Sequence, residues 1–288
     1  MNQRLPDFLA THRRLLVITG AGISTGSGIP DYRGEDGGWK RPPPMTYQAF
    51  TGSLAARQRY WARSLLGWPR FGQARPNSAH LALATLQRQG RVQALVTQNV
   101  DGLHQAAGSS GVIDLHGRLD AIVCLGCAAR STRAAFQQAL VAANPDWLEL
   151  PAGIAPDGDA ELDEVDFSTF RVPACAVCGG VHKPDVVFFG ESVPRTRVEA
   201  VHAHLARADA VLVVGSSLMV WSGFRFVRAA ASAGLPIALL NRGLTRADDL
   251  ATLKCDADIA HALSAAVATG PASDATGNPG LAPEPTVT

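Results

Sequence analysis

No run of the sequence carries the roughly 20 consecutive apolar residues that a membrane span requires, and the opening "MNQRLPDFLATHRRLLVITG" has no apolar core followed by a small-residue cleavage site. A cytoplasmic protein is expected. Neither sign of charge dominates: 26 Lys and Arg stand against 25 Asp and Glu in 288 residues. The global field that would draw a protein onto nucleic acid or an anionic membrane is therefore missing, and any polyanion must bind locally. Cysteine is scarce, with five residues, yet Cys124, Cys127, Cys175 and Cys178 form two Cys-x-x-Cys pairs. In a reducing compartment such pairs favour metal over disulfides. Two further absences concern the glycine-rich stretch "GAGISTGSGIPDYRGEDGGW", Gly20 to Trp39, which follows the apolar run "RLLVITG". It lacks the lysine of a P-loop, and Thr25 stands where the dinucleotide fingerprint has its third glycine. The ribose-gripping acid expected about 20 residues on is also missing, because that region is the proline-rich "KRPPP". These gaps disfavour an ordinary dehydrogenase.

Four short apolar runs each end in a small polar loop: "RLLVITG" into "AGIS", "VQALVT" into "QNVD", "DAVLVVG" into "SSLMVW", and "PIALLN" into "RGLT". Runs of this length suit parallel strands buried on both faces, with helices crossing between them. Ligands of such sheets bind beyond the carboxyl ends of the strands, so all four loops are expected to face one crevice. Helical crossovers are predicted in "PNSAHLALATLQRQG", capped by Asn77 or Ser78 and stopped by Gly90, and in "SVPRTRVEAVHAHLARA". Prolines 42, 43, 44 and 69, with aromatic residues between Tyr47 and Trp61, mark residues 41–75 as a small helical insert over the crevice. Asn144 to Val172, with eight acidic residues and one arginine, reads as a solvated loop. The last 20 residues are Pro, Gly and small polar types, the composition of a disordered tail.

Gly20 and Gly22 let the backbone approach a pyrophosphate, and the following N–H groups with the hydroxyls of Ser24 and Thr25 can donate to it. The polar run continues through Asp31, Tyr32 and Arg33, longer than a tight turn needs, as a loop folding over a ligand would. The four paired cysteines can close a tetrahedral zinc site, and a site closed by four thiolates is structural rather than catalytic. His104 and His116 fall nearest the crevice and compete for a general-base role; His116 has the edge, since an apolar strand delivers it and a glycine follows. Asn99 and Asp101 can reach ribose hydroxyls, although an Asx turn would account for them equally. Gly215, Ser216 and Ser217 end another strand, and Asn241 and Arg242 a third; together on one sheet edge they read as a nucleotide site.

"GAGISTGSGIPDYRG", "TQNVDGLHQAAG", "LHG", the two Cys-x-x-Cys pairs, "KPDVVFFGE", "VGSSLMVW" and "LNRG" occur in the order that marks the sirtuins, NAD-dependent protein-lysine deacylases, and the resemblance runs from about Leu16 to Leu263. It implies an α/β fold: a Rossmann-like parallel-sheet domain (1–35, 76–117 and 185–268), a helical insert (36–75), a smaller zinc-binding module (118–184) and a tail (269–288). It also implies one structural Zn2+, NAD as co-substrate and acylated-lysine proteins as partners, with no membrane or nucleic-acid role. The glycine-rich loop, including Gly20, Ala21, Gly22, Pro30 and Arg33, would then envelop NAD for cleavage. Gln98, Asn99 and Asp101 would hold its nicotinamide ribose, and His116 would be the general base. Gly215, Ser216 and Ser217 would contact phosphate and ribose, and Asn241, Arg242, Gly243 and Ile259 would lie at the adenosine end. Val187, Phe188 and Phe189 would pair with the substrate backbone; without the family this stretch reads as a plain buried strand. Products would be nicotinamide, free lysine and an O-acyl ADP-ribose. "RQRYWARSLLGWPRF" and "DDLATLK" are most similar to the class II branch, linked to bulkier acyl groups and to ADP-ribosyl transfer, which is the second reading of the same fold. Tyr60 and Arg63 resemble the Tyr-x-x-Arg pair that binds an acyl carboxylate; an aromatic anchor and a solvated arginine would share this spacing.

Overall fold

The structure is a computed structural model that describes residues 4–40, 43–148, 153–154, 160–162 and 165–268; the tail expected at 269–288 lies outside the described residues. The strands are β1 (Leu15–Thr19), β2 (Val92–Thr97), β3 (Ile113–Asp114), β4 (Gly117–Cys124), β5 (Arg130–Thr132), β6 (Gly153–Ile154), β7 (Ala160–Glu161), β8 (His182–Val186), β9 (Ala210–Val214), β10 (Ile237–Leu240) and β11 (Leu253–Cys255). The helices are α1 (Leu5–Thr11), α2 (Tyr47–Gly52), α3 (Leu54–Phe71), α4 (Ser78–Arg88), α5 (Leu103–Ala106), α6 (Arg133–Ala143), α7 (Arg195–Leu205), α8 (Trp221–Ser232) and α9 (Ile259–Ala268). Among the described residues no helix is long and apolar enough to cross a membrane.

Six parallel strands form the main sheet in the order β11-β10-β9-β1-β2-β3. Counted along the chain this is the doubly wound order 3-2-1-4-5-6, whose direction reverses beside the first strand and opens a crevice there. Side chains alternate across a strand, and β1 shows why its run is wholly apolar. Leu15 and Val17 pack on one face with α1, α4 and α9; Leu16 and Ile18 pack on the other with α7 and α8. As the crossover pattern predicts, α4 is capped by Asn77, whose Oδ1 accepts from Ala79 N at 2.9 Å, and Gly90 turns the chain out with φ +69°. The same Asn77 donates through Nδ2 to Ile23 O at 2.8 Å and Ser27 Oγ at 3.0 Å. One residue thus starts a helix and pins the glycine-rich loop.

A second, antiparallel sheet of β5-β4-β8 carries the cysteine pairs. It shares a third core with the insert: Phe50, Tyr60, Trp61 and Leu65 of α2 and α3 pack with Phe136 and Leu140 of α6 and with Ile122 of β4. Arg133 of α6 reaches into this core and donates to Ser64 O at 3.0 Å. Trp61 is fully buried there, edge-on to Phe136 with ring centroids 4.7 Å apart. Trp61→Ala is expected to cost about 3–5 kcal/mol, read as a lowered urea midpoint at unchanged slope.

The acidic stretch departs from the solvated loop expected of it. Trp147 and Phe170 are buried and join the third core with Phe167. Asn144 clasps the base of the excursion, donating to Arg171 O at 2.8 Å and accepting from Arg171 N at 2.7 Å. Gln58 of α3 donates to Ser168 O and Phe170 O, both at 2.9 Å. Aromatic burial outweighs the charge run, because each ring removes a large apolar area from water while the described carboxylates Asp146 and Asp166 stay exposed.

Candidate active site

The reversal point of the sheet is closed from below by two backbones in contact. Gly22 N donates to Gly215 O at 2.8 Å, and Gly20 N to Val214 O at 3.2 Å. A Cβ on Gly20 would meet Ser216 Cβ at 2.7 Å, and one on Gly22 would meet Gly215 Cα at 3.0 Å. The two glycines are therefore required by the packing of the β1 loop against the β9 loop, which brings both to one cleft.

That cleft has a volume of about 1140 Å³, above the usual range for a single small ligand and roomy enough for a dinucleotide beside a substrate side chain. Its walls include the carboxyl-end loops of β1, β2, β9 and β10, with Gly20, Ala21, Gly22, Ser24, Thr25, Gln98, Asn99, Asp101, Gly215, Ser216, Ser217, Asn241 and Arg242. Asp31, Tyr32, Arg33 and Ile259 line it as well. Pro30 and Gly243 do not. Gly243 instead lets the β10 loop press on the glycine-rich loop, since a Cβ there would meet Glu35 O at 2.2 Å.

The polar groups of the cleft are prearranged. Ser24 Oγ donates to Asp101 Oδ2 at 2.7 Å, and Asn99 Nδ2 donates to Gly20 O and Ser24 Oγ, both at 3.1 Å. Asp101 also makes the Asx turn, accepting from Leu103 N at 2.9 Å, so the two readings of this residue hold together. Gln98 Nε2 donates to Ser216 Oγ at 2.8 Å. Its amide is overlain by Gly223, where a Cβ would meet Oε1 at 2.5 Å. Hydroxyls, carboxamides and a carboxylate on a glycine-rich floor are the donor set that ribose hydroxyls and a pyrophosphate require.

Of the two histidines, only His116 lines the cleft. It ends the turn between β3 and β4, and its Nδ1 lies 2.9 Å from Gln98 O while Nε2 lies 2.7 Å from Ser222 Oγ. A carbonyl can only accept, so Nδ1 carries the proton and Nε2 presents a lone pair, to which the Ser222 hydroxyl donates. Burial lowers its pKa to about 4, opposed by the Gln98 carbonyl, and the ring is neutral at pH 7. His104 is buried instead beside Thr19, with Nε2 at 2.9 Å from Thr19 Oγ1, and burial pushes its pKa to about 3. Both values lie below the ordinary 6.5. The unfolded chain thus takes up protons first, and stability present above pH 6.5 drains as pH falls toward about 4. Urea midpoints should be flat above pH 7 and decline through that window; a constant midpoint down to pH 4.5 would contradict it.

The remaining residues divide. Val187, Phe188 and Phe189 line the cleft, but not as the plain strand their apolar run suggests. β8 stops at Val186, Val187 N carries the pairing one step further by donating to His116 O at 2.7 Å, and Phe189 makes an isolated parallel bridge with Thr46. Tyr60 reaches the cleft beside Ile29, Met45, Phe71 and Leu119, with its ring edge-on to Phe50 at 5.3 Å. Arg63 is not among the lining residues.

The four paired cysteines bring their sulfurs within 4.8 Å of one another, with Cys124 to Cys178 at 3.5 Å and Cys127 to Cys175 at 3.8 Å. A tetrahedron with ~2.3 Å metal–sulfur bonds has edges of about 3.8 Å, so the quartet fits zinc. Two glycines unremarked in the sequence make room: a Cβ on Gly180 would meet Cys124 Sγ at 2.9 Å and Cys178 Sγ at 3.0 Å, and one on Gly126 would meet Cys178 Sγ at 3.2 Å. No cysteine lines the cleft.

The model of the Sir2 family matches residues 20–222. An NAD-dependent protein deacetylase of Xanthomonas campestris pv. campestris is 65% identical over 260 residues, covering 90% of this chain and 89% of that protein. NAD-dependent protein deacetylase 2 of Bradyrhizobium diazoefficiens is 61% identical over 266 residues, covering 91% and 97%. Among solved structures, a Sir2 complex with a p53 peptide and NAD+ has a TM-score of 0.71 at 30% identity, covering 89% of this chain and 93% of that one. A Sir2 enzyme bound to a propionylated peptide has a TM-score of 0.68 at 30% identity over the same shares. On the motifs, the sheet order, the cysteine quartet and these likenesses together, the chain belongs to the Sir2 family.

Proposed function

We propose that this protein is an NAD-dependent protein-lysine deacylase. The observation that carries the reading is His116, a neutral imidazole lining the cleft whose Nδ1–H is fixed by the Gln98 carbonyl and whose Nε2, held at rest by the Ser222 hydroxyl, is the proton-accepting atom. Such a group can take a proton from a hydroxyl at neutral pH, which is what moving an acyl group from lysine to a sugar requires. NAD, when bound, supplies the ADP-ribosyl acceptor and a nicotinamide leaving group. The chain's own residues would do the rest. The backbone from Gly20 to Thr25 and Ser216 would hold the pyrophosphate, Asn99 and Asp101 a ribose, and Asn241, Arg242 and Ile259 the adenosine end. Val187 to Phe189 would offer backbone groups to an extended peptide.

Tyr60 with Ile29, Met45, Phe71 and Leu119 forms an apolar wall. With Arg63 outside the lining, this wall favours an aliphatic acyl group over a dicarboxylic one. The zinc thiolates suit a reducing compartment such as the cytoplasm.

Mass spectrometry of products from NAD with lysine peptides bearing acetyl, longer aliphatic, lipoyl and dicarboxylic groups tests the reading. Nicotinamide and an O-acyl ADP-ribose should appear, fastest from an aliphatic peptide. Consumption of NAD with every peptide intact and label left on protein would replace deacylation by ADP-ribosyl transfer.

A further inference from the structure

Beyond His116 the cleft runs onto a surface where arginines gather. Ser222 is the second residue of α8, a helix that contains no acidic residue. Trp221, Arg225 and Arg228 stand at i, i+4 and i+7 and so form one stripe of it. Arg225 lines the cleft with Arg195, and its Nε is buried without a hydrogen-bond partner. Arg225 also lines a smaller neighbouring pocket with Arg228 and His202, and so stands between that pocket and the cleft. Trp221 is 41% exposed, with the Arg228 and Arg246 guanidinium groups 4.6 and 5.6 Å from its ring centroid.

Of the carboxylates nearby, two are already paired, one of them with Arg195 itself. Glu191 pairs with Lys183 at 3.1 Å, and Glu199 with Arg195 at 2.6 Å. Asp209 accepts from the backbone of Arg13 and Arg14 at the opposite end of β9. Among the described residues no carboxylate pairs with Arg225, Arg228 or Arg246. In a chain of net charge +1 this is a local excess, placed where a peptide lying along Val187 to Phe189 would continue past the base.

We propose that this surface recognises acidic side chains flanking the acylated lysine, so that the enzyme selects acyl-lysines in segments rich in Asp and Glu; the inference rests on the deacylase reading. Planar guanidinium groups match carboxylates in a two-pronged fashion. Because the pairs form at an exposed rim, each contributes modestly and is screened by salt. Selection should therefore act on peptide capture and leave the chemical step alone.

The test uses acetyl-lysine peptides identical except at two positions on either side of the lysine, filled by Asp and Glu, by Ala and Gln, or by Lys and Arg. At low salt the acidic peptide should show a KM about fivefold or more below the neutral one, the size given by one or two exposed pairs. The kcat values should agree, and the gap should close in 0.5 M salt. Arg228→Glu and, separately, Arg246→Glu should each shrink or reverse the preference. Equal KM values across the panel, or a preference that survives both variants, would overturn the proposal. So would salt-dependent retention on duplex DNA with peptides unsorted, which would assign the surface to nucleic acid. Fluorescence-polarisation binding of the same peptides without turnover separates the two levels: acidic selectivity in binding with no acyl transfer would sink the deacylase reading while keeping the surface.

Discussion

Replacement of His116 by alanine is expected to slow acyl transfer by about two to four orders of magnitude, the usual contribution of a positioned general base, while NAD affinity changes little. The residue touches the cleft through one edge, and the groups proposed to hold the dinucleotide are arranged by Ser24, Asn99 and Asp101 among themselves. The pH profile carries a second signature. Burial holds the His116 pKa at about 4, so the base form is populated throughout the neutral range. Protonation removes it only on acidification. The acid limb of kcat/KM should then lie well below the ordinary histidine value of 6.5. A limb at 6.5, or turnover retained in the alanine variant, would remove His116 from the role. His104→Ala offers the contrast: it is expected to lower the unfolding midpoint through the lost contact to Thr19, and to spare the shape of the pH profile.

Loss of the metal is the other change with a large expected effect. Structural zinc binding is worth on the order of 10–16 kcal/mol in small zinc modules, comparable with the entire stability of an ordinary domain. Metal analysis should give about one zinc per chain, and Cys175→Ser should yield protein that neither holds zinc nor stays folded through residues 117–186. Activity should fall with metal content even though no cysteine lines the cleft. The reason is covalent: β4 begins at Gly117, directly after His116, and ends at Cys124. A slack zinc module therefore leaves one end of the base's own strand unanchored. Cys175→Ser protein that remained soluble, folded and metal-loaded would overturn the assignment.

The parts of this architecture written in short stretches of sequence could be read from it. Apolar runs closed by small polar loops encode parallel strands, and the four loops do meet at one cleft. Cys-x-x-Cys spacing encodes half of a tetrahedron each time. The glycine-rich stretch encodes a close backbone approach, although the partner against which it is pressed, Gly215, is visible only in the fold. What could not be read is what depends on distant partners. Ser222 meets His116 across a separation of 106 residues, and nothing in "VWSGF" announces it. Gly126 and Gly180 did leave a trace beside their cysteines, in "CLGC" and "CAVCGG", where a small residue is needed to clear a sulfur. The charge density of the acidic excursion indicates a solvated loop, whereas the rings of Trp147 and Phe170 anchor it in the third core. The Tyr60 and Arg63 spacing indicates a shared helix face, but of the two only Tyr60, its ring packed on Phe50 and Trp61, lines the cleft.

The contact between the Gly20 and Gly215 loops bears on how such a protein can diversify. With two backbones touching, the floor of the site has no depth left to give, and any enlargement there would require the central sheet itself to part. Much of the opposite wall is made by side chains of α3 and of the segment before α2, among them Met45, Tyr60 and Phe71, which can be exchanged one at a time without disturbing a strand. Inheritance should accordingly keep the floor fixed and let the roof drift, and relatives that differ in the acyl group they accept should differ between residues 43 and 75 before they differ at the glycines.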